Sequence, residues 1–223
     1  MKNGVLYTYL GLDVLAAAGG GIILAVSLIT QKNMKAVQTI DTVATDLLLS
    51  TTPLKAGVVN AIFIFITFLV SFPGLIATRS RVFPKIHGYM VMLSGVFTMI
   101  IGLIIWESTL RTRSNLLTLW SKQSDNIQSL LQQRFSCCGY TNFTTPPFIQ
   151  DSTCTNALVA ANLGGCIGPF SSFANPYMDI IFTAVFGIVA IDGMLLLAIA
   201  CLLKDRKDKE RYRWIDQKNG VAI

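Results

Sequence analysis

The sequence predicts an all-α membrane protein: a bundle of four transmembrane helices with a disulfide-bonded, mainly helical large extracellular loop. Three observations predict this fold class. Hydrophobic residues make up 52% of the 223 residues and charged residues only 13%, against about a quarter in a typical soluble domain. The apolar residues form four segments of the length that spans a bilayer, ~20 residues. Four of the five cysteines lie in one polar stretch between the third and fourth segments.

The four apolar segments are the expected transmembrane helices. They comprise residues 5–29, 57–77, 88–106 and 177–203. Core helices of a soluble protein are a poor alternative, because helices this apolar would need far more amphipathic helix around them. The first segment is also too long for the apolar part of a cleaved signal peptide. The remaining parts are an N-terminus, a small loop, a short link, a large loop and a tail, at residues 1–4, 30–56, 78–87, 107–176 and 204–223.

Basic residues predict the orientation in the membrane. Eleven of the 18 are Lys2 or lie in the link 78–87 or the tail 204–223, and seven lie in the other two loops. Because basic residues concentrate on the cytosolic side, we expect both termini in the cytosol and the two loops outside. The same concentration explains the net charge of +6. It favours anionic lipid at the cytosolic face, and not nucleic acid, as a partner.

The large loop holds Cys137, Cys138, Cys154 and Cys166. Disulfides are expected in an outer loop, because it matures in an oxidising compartment. A zinc site is the alternative, but the loop lacks the usual pairs of cysteines two to four residues apart. A bond between the adjacent Cys137 and Cys138 would be strained. Two pairings remain open, and both tie the Cys-Cys-Gly corner to Cys154 and Cys166.

An apolar helical face precedes these cysteines. Its members are Leu110, Leu117, Trp120, Ile127, Leu131 and Phe135. Their spacing fits one side of a helix, and without an intervening proline we expect the third helix to continue outward into this stretch. Residues 156–163 are expected to form two short turns of helix. Asn142-Phe143-Thr144 is an N-glycosylation sequon, which makes Asn142 a candidate glycosylation site, with a silent sequon as the alternative.

Together these features resemble the tetraspanin family over essentially the whole chain. The matching features are four spans, a short outer loop before a long one, and Cys137-Cys138-Gly139 with two further loop cysteines. In the first span, Gly20-Gly21-Ile22-Ile23-Leu24 follows Asp13 by seven positions. The family usually has Asn where this chain has Asp13, and the acidic residue common midway along the third span is absent. The compact four-cysteine loop resembles fungal tetraspanins, including the group linked to host penetration from appressoria.

The resemblance implies a disulfide pairing and a function. It implies bonds from Cys137 to Cys166 and from Cys138 to Cys154. It also implies a non-enzymatic scaffold that organises partner membrane proteins and lipid in the plasma membrane, with cycling through endosomal or vacuolar membranes and a role in fungal infection structures. A homo-oligomer is an open alternative to partners of other kinds.

Other function classes fit the sequence less well. A small transporter or channel subunit would show inverted repeats or broken helices at matching places, whereas the Pro73-Gly74 break has no counterpart. Claudin-like junction proteins carry their large loop first. No catalytic or nucleotide-binding motif such as GxSxG, HExxH or a P-loop is present, so we expect no enzyme, no metal and no cofactor.

Asp13 and Asp192 are the candidate binding residues within the spans. An acid inside a membrane helix is a functional candidate by default. At 1.5 Å per residue the two lie ~12 and ~16 Å from the same membrane face, so they could face one cavity. Two carboxyls at similar depth should retain at least one proton, and a protonated acid suits a hydroxyl group. We expect a sterol or lipid pocket, with a hydrogen bond that only fixes helix packing as the alternative.

Four further features of the sequence carry predictions. Cys201 lies at the cytosolic end of the last span and is a candidate for S-palmitoylation, with a plain thiol as the alternative. Tyr212-Arg213-Trp214-Ile215 resembles an endocytic sorting signal read through Tyr212 and Ile215 in an extended tail; the alternative is that the aromatic residues anchor at the membrane interface. Small residues recur every seven positions at Gly88, Gly95 and Gly102, which we interpret as packing within the molecule. Asn60 is expected to be a local hydrogen-bond partner.

Overall fold

The computed structural model describes residues 4–77, 80–110 and 112–218. Lys2, Arg79 and Arg111, which contribute to the basic residues that predict the orientation, lie outside these ranges. The described residues form eight α-helices. In chain order these are α1 (Gly4–Asn33), α2 (Val43–Ser50), α3 (Leu54–Ile76), α4 (Val82–Leu110), α5 (Thr112–Ser121), α6 (Asp125–Phe135), α7 (Ala157–Leu163) and α8 (Ile167–Lys218).

Four helices are long and apolar enough to cross a membrane, namely α1, α3, α4 and α8. They coincide with the four apolar segments, and the all-α class is confirmed. Helices α1, α4 and α8 run past both ends of their apolar segments, and α3 runs past the start of its segment, because a helix can leave the hydrocarbon region without ending. The membrane boundaries at residues 5–29, 57–77, 88–106 and 177–203 therefore stay predictions.

The longest helix, α8, contains 52 residues and ends at Lys218. Residues 204–218 of the tail are thus helical, which differs from the extended tail that suits a sorting signal at Tyr212 and Ile215. Residues 204–218 include seven Lys and Arg residues, which have a high helix propensity. Lys209 also pairs with Asp205 one turn earlier, a spacing that supports a helix.

The chain divides into two compact units, and the first comprises Met1–Val26, Lys55–Ile101 and Val185–Ile223. Glycines allow its helices to approach closely. A Cβ on Gly20 would lie 2.8 Å from the Ile64 side chain, and one on Gly88 would lie 3.3 Å from Ile199. A Cβ on Gly95 would meet Asp192 at 3.4 Å. The expected intramolecular packing of the third span is therefore confirmed at its first two small residues.

The second unit comprises Ser27–Leu54 and Gly102–Ala184. In it α2 contacts α6, and Trp120, which is fully buried, lies against Tyr140 with ring centroids 5.6 Å apart. The single continuous helix expected across this stretch is wrong, because α5 ends at Ser121 and α6 begins at Asp125. Ser124 is extended at this break, and Ser followed by Asp is a typical helix start. The short helix expected at residues 156–163 is confirmed as α7, capped by Asn156.

Candidate functional site

The Cys-Cys-Gly corner organises the large loop. Two disulfides, Cys137–Cys166 and Cys138–Cys154, join it to the rest of the loop, which is the pairing that the resemblance implied. All four cysteines are buried. Gly139 has a φ of +72°, and a Cβ there would lie 2.3 Å from the carbonyl oxygen of Asn142. Only glycine meets both conditions, so the corner turns where no side chain fits.

A buried amide and a carboxylate hold the segments around this corner. The fully buried Gln132 of α6 donates to the carbonyl oxygen of Ile149 (2.7 Å) and to Asp151 Oδ2 (2.9 Å). Its Oε1 accepts from the backbone N–H of Gly139 and of Ile149, both at 3.1 Å. Asp151 Oδ1 accepts the N–H of Cys154 at 2.7 Å. Sequence reasoning missed both residues, since a polar residue beside an apolar face gives no distinct signal.

The charge of Asp151 is stabilised by this network. Burial alone would raise the pKa of its carboxyl group. The hydrogen bonds from the N–H of Cys154, from Gln132, from the N–H of Thr153 and from Ser129 outweigh burial, and the pKa is lowered from its ordinary value. Hydrogen bonds that an ionised carboxylate accepts favour the charged form. Asp151 is therefore a structural anion of the loop.

Helix α7 lies between the two disulfides. Its Ala160 is fully buried beside Cys138 and Cys154, and the Asn156 side chain accepts from the N–H of Val159. The opposite side presents apolar residues to solvent, with Leu158 75% exposed. A short helix fixed at both ends thus displays a large apolar side chain.

The sequon lies in a turn at the surface. Asn142 is exposed, and its Oδ1 accepts from the backbone N–H of Thr144 (2.9 Å) and from the Thr144 hydroxyl (2.8 Å). These contacts use the side-chain oxygen and leave the amide nitrogen, the atom that would carry a glycan, pointing away from them.

A polar cluster lies among the long helices of the first unit. Tyr9 and Asp13 are four residues apart on α1 and so share a face. Tyr9 Oη lies 2.9 Å from His87 Nδ1, and His87 Nε2 lies 3.3 Å from Asp13 Oδ1. All three side chains are buried. His87 was not predicted as a site residue, and its being the one histidine, next to the third span, was the available signal.

Asp13 and Asp192 line one cavity, together with Ser94. Asp13 Oδ2, Asp192 Oδ2 and Ser94 Oγ have no hydrogen-bond partner among the described residues. The cavity has a volume of about 10 Å³, which is roughly the space that one water molecule needs. This space is far smaller than a sterol, which favours the alternative of a polar contact that fixes helix packing. The sterol or lipid pocket at Asp13 and Asp192 stays a prediction, and it would require the helices to move apart. Nearby, Asn60 Nδ2 donates to Thr98 Oγ1 at 2.8 Å, the local role expected for Asn60.

Arg206 of α8 is buried and binds the end of α3. It donates to the carbonyl oxygen of Gly74 at 2.6 Å, of Ala77 at 3.3 Å and of Ser80. The last carbonyls of a helix have no partner within it, and a basic side chain can satisfy them. Sequence reasoning did not separate Arg206 from the other basic residues of the tail.

The remaining candidate residues lie on exposed parts of α8. Cys201 is a free, exposed cysteine. Tyr212 and Ile215 are 66% and 43% exposed, but they lie within the helix, whereas the proposed sorting signal assumed an extended segment. No group of three or more His, Cys, Asp or Glu side chains within the described ranges could hold a metal ion.

Comparison with known proteins identifies one family. The model of the tetraspanin family matches residues 5–205 of the chain. No curated protein and no solved structure matches it. The matched region includes α1 from residue 5, all of α3 and α4, α8 up to Asp205, and the whole disulfide-bonded loop.

Proposed function

The chain belongs to the tetraspanin family, and from that premise we propose that it is a non-enzymatic scaffold that organises particular membrane proteins and lipids around itself. The protein is a multi-pass membrane protein, and proteins of this family generally associate with other membrane proteins and with lipids. What distinguishes one such scaffold from another is the surface that it offers to partners.

The exposed apolar side of α7 is the observation that carries this proposal. Ala157, Leu158 and Ala161 are exposed on a helix of seven residues. Disulfide-bonded cysteines stand on either side of that helix, at Cys154 and Cys166. Ordering of flexible segments is a cost of association, and a prearranged surface reduces it. A rigid helix with an exposed leucine suits recognition of a partner in the same membrane.

Purification in mild detergent tests the scaffold. Leu158→Arg should lose the membrane proteins that accompany the wild type, because a charge replaces the apolar contact. Val37→Arg is the matched control, since Val37 is 92% exposed in the small loop. Recovery of the wild type always alone, or equal losses in both variants, would contradict the proposal.

We also place the protein in the plasma membrane, with both termini in the cytosol. The distribution of basic residues supports this orientation. Mass mapping of a glycan on Asn142 tests it, because only a loop that faced the secretory lumen could receive one. An unmodified Asn142, together with cleavage of the large loop by a cytosolic protease, would contradict this orientation.

Two finer proposals follow the family resemblance. We propose S-palmitoylation of Cys201, which its exposure permits. Acyl-exchange labelling that Cys201→Ser leaves unchanged would reject this modification.

We also propose a role in fungal infection structures, and the compact four-cysteine loop alone supports it. Deletion of the gene should then impair host penetration without impairing growth.

A further inference from the structure

The helical tail fixes the positions of its basic side chains. Lys204, Lys207 and Arg211 follow one another at i, i+3 and i+7 on α8, and Trp214 follows at i+10. Residues with this spacing share a face of a helix. In an extended tail the same residues would move independently, whereas on α8 they form one continuous surface.

This surface forms one wall of a groove of about 640 Å³. Arg81, just before α4, contributes to the groove as well. The other lining residues, all on α8, are Lys204, Lys207, Asp208, Glu210, Arg211 and Trp214. Arg81 pairs with Glu210. Four basic and two acidic side chains leave the groove with a net charge of +2.

Arg206 sets the direction in which this face points. Its guanidinium is buried and binds three backbone carbonyls at and beyond the end of α3. Rotation of α8 about its own axis would break these bonds. The basic face is therefore held toward Arg81, and the groove is a built feature of the first unit.

We propose that this groove binds the phosphorylated headgroup of an anionic lipid, with Lys207 and Arg211 as the main phosphate contacts. Arginine presents several N–H donors that match phosphate oxygens, and lysine supplies a compact charge. A headgroup with several phosphates gains from cations gathered in one groove, whereas a singly charged headgroup gains about as much from any basic surface. The inference rests on the proposed cytosolic placement of the tail.

A lipid is a better occupant than a soluble phosphate compound. Lys204 directly follows the apolar Leu202 and Leu203, so the groove begins where the apolar part of α8 ends. Trp214 is 62% exposed at its far end, and tryptophan favours the membrane–water interface.

The test uses the full-length protein in nanodiscs of neutral lipid. Binding of phosphatidylinositol 4,5-bisphosphate is compared between the wild type and the double variant Lys207→Gln/Arg211→Gln. The control is Lys209→Gln/Arg213→Gln, which removes the same charge from the opposite face of α8. We expect the groove variant to weaken binding at least about tenfold, because two charge-assisted contacts are lost, and the control to weaken it less than about threefold.

Two further arms identify the source of the phosphate. Phosphatidylserine at equal total charge should bind more weakly than the bisphosphate lipid, and so should soluble inositol 1,4,5-trisphosphate. Equal weakening by the two double variants would overturn the groove, since it would show attraction by net charge alone. Binding of phosphatidylserine or of the soluble compound as tight as that of the bisphosphate lipid would overturn the lipid assignment. Circular dichroism of each variant confirms that α8 is intact, and failure of the scaffold test leaves these outcomes unaffected.

Discussion

Individual polar residues hold this molecule together at points that the sequence does not reveal. The cysteines and Gly139 could be predicted, because their chemistry restricts what they can do. Gln132 and Arg206 could not, since each acquires its partners only when distant segments meet. His87 stood out as the one histidine, but its partners could not be predicted for the same reason. Asp13 shows both cases: its depth could be estimated from the helix rise, but its contact with His87 could not.

Asp13 is predicted to stabilise the packing of the helices and not to bind a sterol. Asp13→Leu removes the acidic group beside His87, and we expect a loss of about 1–3 kcal/mol, the usual cost of leaving a buried polar group without its partner. Thermal unfolding in detergent should show a lower Tm, while sterol photoaffinity labelling should match the wild type. Asp179→Leu, on α8 but outside the cluster, is the control. Labelling of the wild type that Asp13→Leu and Asp192→Leu both abolish would restore the sterol pocket.

The lowered pKa of the Asp151 carboxyl group leads us to predict how the stability of the large loop responds to acid. Its folded pKa is lowered, so its stabilising effect is complete above the pKa of the unfolded chain, about 3.9, and is lost as the pH falls through the lower folded value. The protection factors of the amides of residues 125–154 against hydrogen exchange should therefore fall below about pH 4. In Asp151→Asn, these protection factors should be lower at neutral pH and change less with acid. An identical pH profile in the two proteins would refute the role of this carboxylate.

Helices are predictable where their environment is uniform. Four spans followed from hydropathy because lipid requires continuous apolar helix. The polar continuation of α8 to Lys218 could not be predicted in that way, because after Leu203 hydropathy no longer distinguishes helix from coil. The division between α5 and α6 was missed for another reason: apolar spacing continued across it, although Ser124-Asp125 marked a helix start.

Because Arg206 of α8 binds the end of α3, we predict that its substitution lowers the stability of the protein. Arg206→Gln should leave the carbonyls of Gly74 and Ala77 less well satisfied and lower stability by about 1–3 kcal/mol. Thermal unfolding and the rate of proteolysis at residues 77–81 measure this effect. Arg213→Gln removes the same charge from an exposed position and should change neither. Equal effects of the two substitutions would show that charge, and not the buried contact, is responsible.

At the scale of the whole molecule, the chain combines four long apolar helices with a cross-linked large loop, whose helix α7 presents an apolar side to solvent. The disulfides Cys137–Cys166 and Cys138–Cys154 keep that presentation fixed. The family and its general architecture could be predicted from the sequence, since cysteine spacing and hydropathy define both. The surface that we propose for a partner could not be predicted, because it depends on the exposure of Leu158 in the folded loop.

Photocrosslinking in living cells tests the central claim most directly. A photoreactive amino acid replaces Leu158 in one protein and Val37 in another, and covalent adducts are identified by mass spectrometry. The scaffold account predicts adducts with particular membrane proteins from position 158 and few from position 37. The same adducts from both positions, or none from position 158 in a protein that reaches its membrane, would contradict it.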